Sequence, residues 1–157
     1  MSSKSPEQAY LSLIASEPTD VETVTSLFDQ LKPIPPSFLL GDWLGGHFPT
    51  LGHPVSQLIR EIKWAGKHFH SEDDVDPILV YDEQGKRVWS EEWGHAKVHG
   101  QVEYRGVPSA SMVYEAKPII DYFRYVNEDV VAGIMESKDP NLLGGFHFYL
   151  KRYKPEM

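Results

Sequence analysis

Hydrophobic residues recur along the chain with a helical period first and a strand period later. Residues 20–31 place apolar side chains three or four positions apart, which is the spacing of one face of an α-helix. Residues 5–15 begin with Ser-Pro-Glu, in which Ser5 can cap a helix and the proline suits the first turn. Asp20 is placed to cap the second helix. The pattern therefore predicts a helical lead-in over residues 1–34.

Glycines and prolines crowd residues 41–54, which favours a strand start and a tight loop over a helix. A brief third helix is predicted over residues 55–64, and Gly66 is a suitable residue to end it. Its apolar residues fall on one side of the helix: Val55, Leu58, Ile59 and Ile62.

From Lys67 onward, apolar and polar residues alternate with the period of a β-strand. Turn residues separate the alternating segments, which are 75–81, 86–93, 95–105, 107–115, 118–126, 129–136 and 144–153. Within one segment the alternation predicts a shared face for Ala96, Val98, Val102 and Tyr104. Short strands without intervening helices indicate an antiparallel meander, which hides its edges by closing. We therefore predict a mainly β fold with short N-terminal helices, an antiparallel β-barrel over residues 35–157, and a single domain over residues 1–157.

The composition excludes several classes of function. A formal net charge of −8 disfavours nucleic acids and anionic membranes, because both are bound by lysine and arginine. The chain has no cysteine, so disulfides, cysteine zinc sites and thiol catalysis are excluded. The polar start MSSKSPEQAY has no apolar signal segment, and no stretch approaches the length of a membrane span. We expect a cytoplasmic protein without nucleic-acid or membrane partners.

A short signature stands near the start of the predicted barrel. Residues 41–45 read Gly-Asp-Trp-Leu-Gly, in which glycines flank a large ring that can plug or line a barrel end. Together with WAGKHF at 64–69 and VEYRGVPSASMVYEAKPIIDYF at 102–123, this segment resembles the family named after its G-x-W-x-G signature. Proteins of that family pair the signature segment with a C-terminal domain of unknown function. The resemblance spans residues 35–153 and implies a calycin-like barrel, while HFHSED at 68–73 departs from the family pattern by being more polar.

Few positions have the spacing of a metal or cofactor site. His68 and His70 share one face of a strand and could bind a metal together, but no third ligand has a diagnostic spacing. His147 points opposite to Phe146 and Phe148, so it faces outward if they face inward, which disfavours a haem site. Phosphate-loop, dinucleotide and serine-nucleophile motifs are absent. We expect no metal and no cofactor.

Three charged residues are candidates for the barrel interior: Arg105, Asp121 and Arg124. Asp121 lies among apolar and aromatic residues of one predicted strand, so it needs a partner if it is buried. A cation such as Lys67 or Arg124 could pair with it and hold its pKa down. The sequence leaves open whether Asp121 forms a structural salt bridge or has a catalytic role.

Aromatic side chains are the main resource for a binding pocket. The chain has four tryptophans, eight tyrosines and seven phenylalanines, more than a minimal core needs. Some are plain core, and the rest can line an apolar pocket that holds a few orienting polar groups. The candidate ligand-binding residues are Trp43, Trp64, Phe69, Tyr81, Tyr104, Met112, Tyr122, Phe146 and Phe148.

These features predict an enzyme that uses no cofactor and cyclises, isomerises or eliminates from a terpenoid- or polyketide-like metabolite. The barrel would restrict the substrate to reactive conformers. Lys67, Trp64 and Tyr114 are candidates to polarise a carbonyl group, and Asp121 or His53 could move a proton. The alternatives are a non-catalytic lipocalin-like carrier of lipophilic ligands and a structural domain with a filled barrel. An apolar small molecule is the expected partner, and a homodimer stays open.

Overall fold

The computed structural model describes residues 4–155, which form three α-helices and nine β-strands. The helices are α1 (Pro6–Ala15), α2 (Val21–Gln30) and α3 (Pro54–Glu61), and short 3₁₀ turns cover Pro36–Leu39, Pro49–Leu51 and Glu91–Trp93. The strands are β1 (Gly41–His47), β2 (Trp64–Ser71), β3 (Asp74–Tyr81), β4 (Arg87–Trp89), β5 (Ala96–Tyr104), β6 (Val107–Tyr114), β7 (Ile119–Asn127), β8 (Val130–Ser137) and β9 (Phe146–Arg152). In this described part of the chain, no helix is both long and apolar enough to cross a membrane.

The strands form one antiparallel sheet that closes into a ring. Their order is β2-β1-β9-β8-β7-β6-β5-β3-β4, and β2 also pairs with β3, which closes every strand except β4 into the ring. The ring is uneven, because β3 and β5 are joined at a single register pair, Val75 with Ala96. The prediction of a mainly β fold closed as an antiparallel barrel is confirmed, while the calycin-like relationship stays a prediction.

Two apolar layers follow from the alternation of side chains along the strands. The inner core fills the ring and includes Phe69, Met112 and Phe123. A second layer lies between α1, α2 and the outer faces of β7, β8 and β9, and includes Tyr10 and Phe28, both fully buried. Burying a side chain such as Phe28 contributes about 1.5–3 kcal/mol, so the contacts of this layer stabilise the packing of α1 and α2 on the barrel.

The helix starts follow their capping residues. Ser5 accepts a hydrogen bond from the backbone N–H of Gln8, and Asp20 accepts one from Glu22, so both predicted caps are confirmed. The third helix ends three residues earlier than predicted, because β2 already begins at Trp64. Gly66 lies inside β2 at φ 123°, where a Cβ atom would overlap the carbonyl oxygen of Trp43. This glycine therefore serves the close approach of β1 and β2 and does not end α3.

The predicted shared face of β5 is correct for Ala96 and Val98 and wrong for Val102 and Tyr104. The register of β5 against β6 shifts between His99 and Val102, which marks a β-bulge. One extra residue in a strand turns every following side chain to the opposite face. Ala96 and Val98 therefore belong to the inner core, whereas Tyr104 packs outside against the helix layer.

Candidate functional site

A small apolar cavity lies inside the barrel beneath α3. Its open volume is about 30 Å³, which is room for roughly two water molecules. Residues of α3 and its C-terminal end form one wall, and side chains from the strands and from two loops form the rest. The lining residues are Val55, Leu58, Ile59, Ile62, Trp64, Lys67, Ile78, Trp93, Tyr114, Asp121, Met135, Leu142, Phe146 and Phe148.

Three of these lining side chains form a polar cluster: Lys67, Tyr114 and Asp121. The Lys67 Nζ atom lies 3.0 Å from Oδ2 of Asp121 and donates hydrogen bonds to the Tyr114 hydroxyl at 3.3 Å and the Pro77 carbonyl at 2.9 Å. Lys67 comes from β2, whereas Tyr114 and Asp121 come from β6 and β7, which are not neighbours of β2 in the ring. The cluster therefore spans the barrel interior, and Lys67 and Asp121 are each only 1% exposed.

One oxygen of the cluster has no partner. The buried Oδ1 atom of Asp121 has no hydrogen-bond donor within 3.5 Å among the described residues, although the Tyr114 hydroxyl lies near enough to the carboxylate to lower its pKa. A buried carboxylate oxygen without a donor costs about 1–3 kcal/mol or more, so such atoms are rare unless they serve a purpose. Asp121 is one of the residues that line the cavity.

Burial brings the proton affinities of the cluster closer together. Burial lowers the pKa of Lys67, and the neighbouring Asp121 carboxylate opposes that shift. Burial raises the pKa of Asp121, which Lys67 opposes in turn. Burial and the charge of Asp121 also raise the pKa of the Tyr114 hydroxyl well above its usual value. An ammonium with a lowered pKa beside a carboxylate with a raised pKa is an arrangement that favours proton exchange.

Aromatic rings surround the ammonium group of Lys67. Its Nζ atom lies 5.5 Å from the ring centroids of Trp64 and Tyr114 and 5.3 Å from that of Phe148. Such cation–π contacts contribute about 2 kcal/mol or more when the cation is desolvated. The remaining walls are apolar, so the electrostatic interactions of the cluster act in a medium of low dielectric constant and are strong.

The Gly-Asp-Trp-Leu-Gly segment forms β1 and supports the cavity indirectly. The Trp43 indole is fully buried, donates a hydrogen bond to the Leu39 carbonyl at 2.7 Å, and does not line the cavity. The Asp42 carboxylate accepts two hydrogen bonds from Arg87 at 2.8 Å, which ties β1 to β4. The Trp64 ring occupies the space that a side chain at Gly45 would need. The second glycine of the signature therefore lets Trp64 reach the cavity wall.

Two family models and a solved structure match this chain. The model of the GXWXG protein family matches residues 26–85, and that of a domain of unknown function (DUF4334) matches residues 94–152. A crystal structure of a protein from Thermomonospora curvata is 37% identical over 96% of this chain and 100% of that chain, with a TM-score of 0.87. The chain belongs to the GXWXG family. The resemblance seen in the sequence is thereby confirmed, and the search of curated proteins found no match for this GXWXG protein.

The structure of the GXWXG protein brings three of the four predicted catalytic residues together. Lys67, Asp121 and Tyr114 form the polar cluster. His53 lies elsewhere: its Nδ1 atom accepts a hydrogen bond from Val55 N at the start of α3, and its Nε2 atom lies 3.0 Å from the Gly144 carbonyl oxygen. It therefore caps a helix and does not reach the cavity.

The predicted ligand-binding residues divide between the two sides of the barrel wall. Trp64, Phe146 and Phe148 line the cavity, although the Trp64 N–H already donates to the Gly66 carbonyl. Phe69 and Met112 lie in the inner core away from the cavity.

Three predicted tyrosines lie outside the barrel. Tyr81 is 39% exposed. Tyr104 and Tyr122 stack on each other with centroids 3.8 Å apart on the outer surface. They are excluded from the cavity because the β5 bulge turns Tyr104 outward and because Tyr122 alternates with the inward Asp121.

The two arginines considered for the interior lie outside it. Arg124 is buried beneath the end of α2, where it donates hydrogen bonds to the Phe28 and Leu31 carbonyls at 3.1 and 3.2 Å. Arg105 forms an exposed ion pair with Asp29. Arg124 therefore stabilises the C-terminal end of a helix, and Asp121 is left with Lys67 as its partner.

His147 faces outward, opposite to Phe146 and Phe148. Its Nε2 atom lies 2.9 Å from the Thr25 hydroxyl of α2, and its Nδ1 atom has no partner among the described residues. Burial lowers the pKa of His147 to about 4, so the ring is neutral at pH 7.

Sequence reasoning missed most of the cavity wall. The apolar face of α3 was visible as a spacing, but the spacing does not say what the face covers. Leu142 comes from a loop, where no period exists to place it, and Trp93 lies in a 3₁₀ turn where the sequence predicted a strand over 86–93, since β4 ends at Trp89.

Proposed function

We propose that this GXWXG protein binds an apolar carbonyl compound in its barrel cavity and transfers a proton within it without a cofactor. The reaction class is isomerisation, cyclisation or elimination of a terpenoid- or polyketide-like metabolite. One observation carries the proposal: the Oδ1 atom of Asp121 is buried without a hydrogen-bond partner among the described residues, in a polar cluster on the wall of an otherwise apolar cavity. A base held ready in a dry site is what proton abstraction next to a carbonyl group requires.

Each member of the polar cluster has a role in this reaction. Asp121 accepts the proton from a carbon next to the carbonyl through Oδ1, and the electron pair of the broken C–H bond moves onto the carbonyl oxygen. The Tyr114 hydroxyl donates a hydrogen bond to that oxygen, and the positive charge of Lys67 stabilises the negative charge that develops there. Asp121 then returns the proton to a different carbon, so an isomerisation is balanced without any further reactant. Donors of this kind each contribute about 10²–10³-fold in rate.

Entry of the substrate requires the cavity to widen. An open volume of about 30 Å³ is far below the pockets of roughly 300 Å³ or more that hold metabolites. The wall that can move is α3, because it is a separate helix of eight residues joined to the barrel by loops. We therefore propose that α3 swings outward to admit the ligand and closes again to exclude water.

A small ketone tests both binding and chemistry. The chain is incubated in D₂O buffer with β-isophorone, a cyclic β,γ-unsaturated ketone, and migration of the double bond and deuterium uptake are followed by NMR. We expect conversion by the unaltered chain and a decrease of about 10²–10⁴-fold in Asp121→Asn. Tyr114→Phe should also slow the reaction. Its matched control is Tyr10→Phe, which removes an equally buried hydroxyl from the helix layer and should leave the rate unchanged.

The same experiment separates an enzyme from a carrier. Ligand that perturbs the NMR signals of Trp64 and Phe148 but is recovered unchanged would favour the non-catalytic carrier. Absence of any perturbation by β-isophorone, carvone and β-ionone would refute binding of apolar ketones altogether. Equal rates in the unaltered chain and Asp121→Asn would refute the assignment of the base.

A further inference from the structure

A second cluster of chemistry-bearing residues lies on the outer surface, away from the cavity. Asp74 and Asp76 are two positions apart on β3, so both point outward while Val75 between them points into the core. His70 comes from the neighbouring strand β2, and His95 directly precedes β5 on the other side. The register of the sheet therefore brings side chains from three segments to one place.

The distances within this cluster fit a metal ion. One ligand atom each from Asp74, Asp76 and His95 lies within 4.8 Å of the others. The two oxygens of Asp76 are held from both sides, with His95 Nδ1 3.1 Å from Oδ1 and His70 Nε2 2.8 Å from Oδ2. Ligands at about 2.0–2.2 Å from a zinc ion are roughly 3.3 Å apart, so shifts of about 1 Å complete the site.

A cation would also stabilise the two neighbouring carboxylates of the cluster. Among the described residues, neither Asp74 nor Asp76 forms a salt bridge with lysine or arginine, and Asp76 has only the two histidines. Two carboxylates on the same face of one strand repel each other unless a positive charge lies between them.

Aromatic stacking holds both histidines in place. The His95 ring stacks on Trp89 with centroids 4.3 Å apart and planes 12° apart. The His70 ring lies against His68 with centroids 3.9 Å apart. Side chains already fixed in position lose less conformational entropy when they bind a ligand.

We propose that Asp74, Asp76 and His95 bind a divalent transition-metal ion such as Zn²⁺, and that His70 orients Asp76 as a hydrogen-bonding neighbour. One imidazole and two carboxylates suit zinc and its neighbours in the first transition row, and the remaining coordination positions are filled by water. The imidazole ligand disfavours Ca²⁺ and Mg²⁺, which take oxygen ligands.

The position of this site gives the ion a structural role. Val75 and Ala96 form the single register pair that joins β3 to β5. The proposed ligands flank both members of that pair, since Asp74 and Asp76 adjoin Val75 and His95 adjoins Ala96. An ion bound there links β3 to β5 at the junction with the fewest register pairs in the described ring and stabilises the closed ring.

The test uses the chain freed of metal with a chelator and then titrated with ZnCl₂. We expect binding by calorimetry and a rise of the melting temperature of about 5–10 °C when zinc exceeds its dissociation constant about 100-fold. Hydrogen exchange at the backbone amides of residues 75 and 96–98 should slow at the same time. MgCl₂ and CaCl₂ at equal concentration should do neither.

Variants distinguish this site from adventitious binding to surface histidines. Asp76→Asn and His95→Gln should each abolish the zinc-dependent rise, whereas His99→Gln, an exposed histidine further along β5, should retain it. His95 is exposed and Asp76 is partly exposed, and circular dichroism without zinc verifies that both variants fold. A rise that persists in Asp76→Asn, or no rise in the unaltered chain, would overturn the proposal. Neither result bears on the ketone reaction, because the cavity residues are untouched.

Discussion

The Lys67–Asp121 pair makes a quantitative prediction about stability. Both side chains are about 99% buried and their charged atoms are 3.0 Å apart. Replacing one partner leaves an uncompensated charge in a low-dielectric interior, which costs about 3–5 kcal/mol of unfolding free energy. Lys67→Met and Asp121→Leu should each lose about that much. The double variant should lose far less than the sum, because two apolar side chains need no pairing.

Urea unfolding followed by tryptophan fluorescence measures the four free energies of this cycle. We expect a coupling energy of several kcal/mol for Lys67–Asp121. The matched control is the exposed pair Lys154–Asp129, whose atoms are also 3.0 Å apart but whose side chains are 67% and 50% exposed. There the coupling should be about 0–1 kcal/mol. Additive losses at the buried pair would show that it is not a tightly coupled ion pair.

The pH dependence of Lys67→Met follows from the remaining carboxyl group. Burial raises the folded-state pKa of Asp121, and removing Lys67 takes away the charge that opposes this shift. A carboxyl with a raised folded pKa favours the folded state at low pH and disfavours it as pH rises through that value. Lys67→Met should therefore be least stable relative to the unaltered chain at alkaline pH, and the deficit should shrink towards pH 4. A deficit that grows on acidification would contradict this reasoning.

Three further predictions concern other parts of the molecule. Burial lowers the pKa of His147 to about 4, so the free energy of unfolding is highest above pH 6.5 and decreases by about 3 kcal/mol as the pH falls to 4. In His147→Leu, the free energy of unfolding measured in urea should not show this decrease. Gly45→Ala should cost about 1–3 kcal/mol through overlap with the outer ring atoms of Trp64, and Trp64→Phe should restore stability if overlap is the cause. Ile78→Phe should fill the cavity and abolish NMR perturbation by β-isophorone, whereas Ile134→Phe in the helix layer should leave it intact.

Local structure could be predicted from the sequence because it depends on neighbours along the chain. The strand that carries Asp121 was predicted at 118–126 and observed at Ile119–Asn127, since alternation with period two is a local property. The caps at Ser5 and Asp20 were predictable for the same reason, because a cap needs only its own first turn.

Tertiary structure alone decided what those elements enclose. The β5 bulge turned Tyr104 outward, and no alternation pattern marks where an extra residue enters a strand. Lys67 meets Tyr114 and Asp121 across 47 and 54 positions of sequence, because ring closure places β2 opposite β6 and β7. Periodicity states which side of a strand is apolar. Which buried charges lie together inside the barrel can be seen only in the closed ring, because their pairing depends on strands that are distant in sequence.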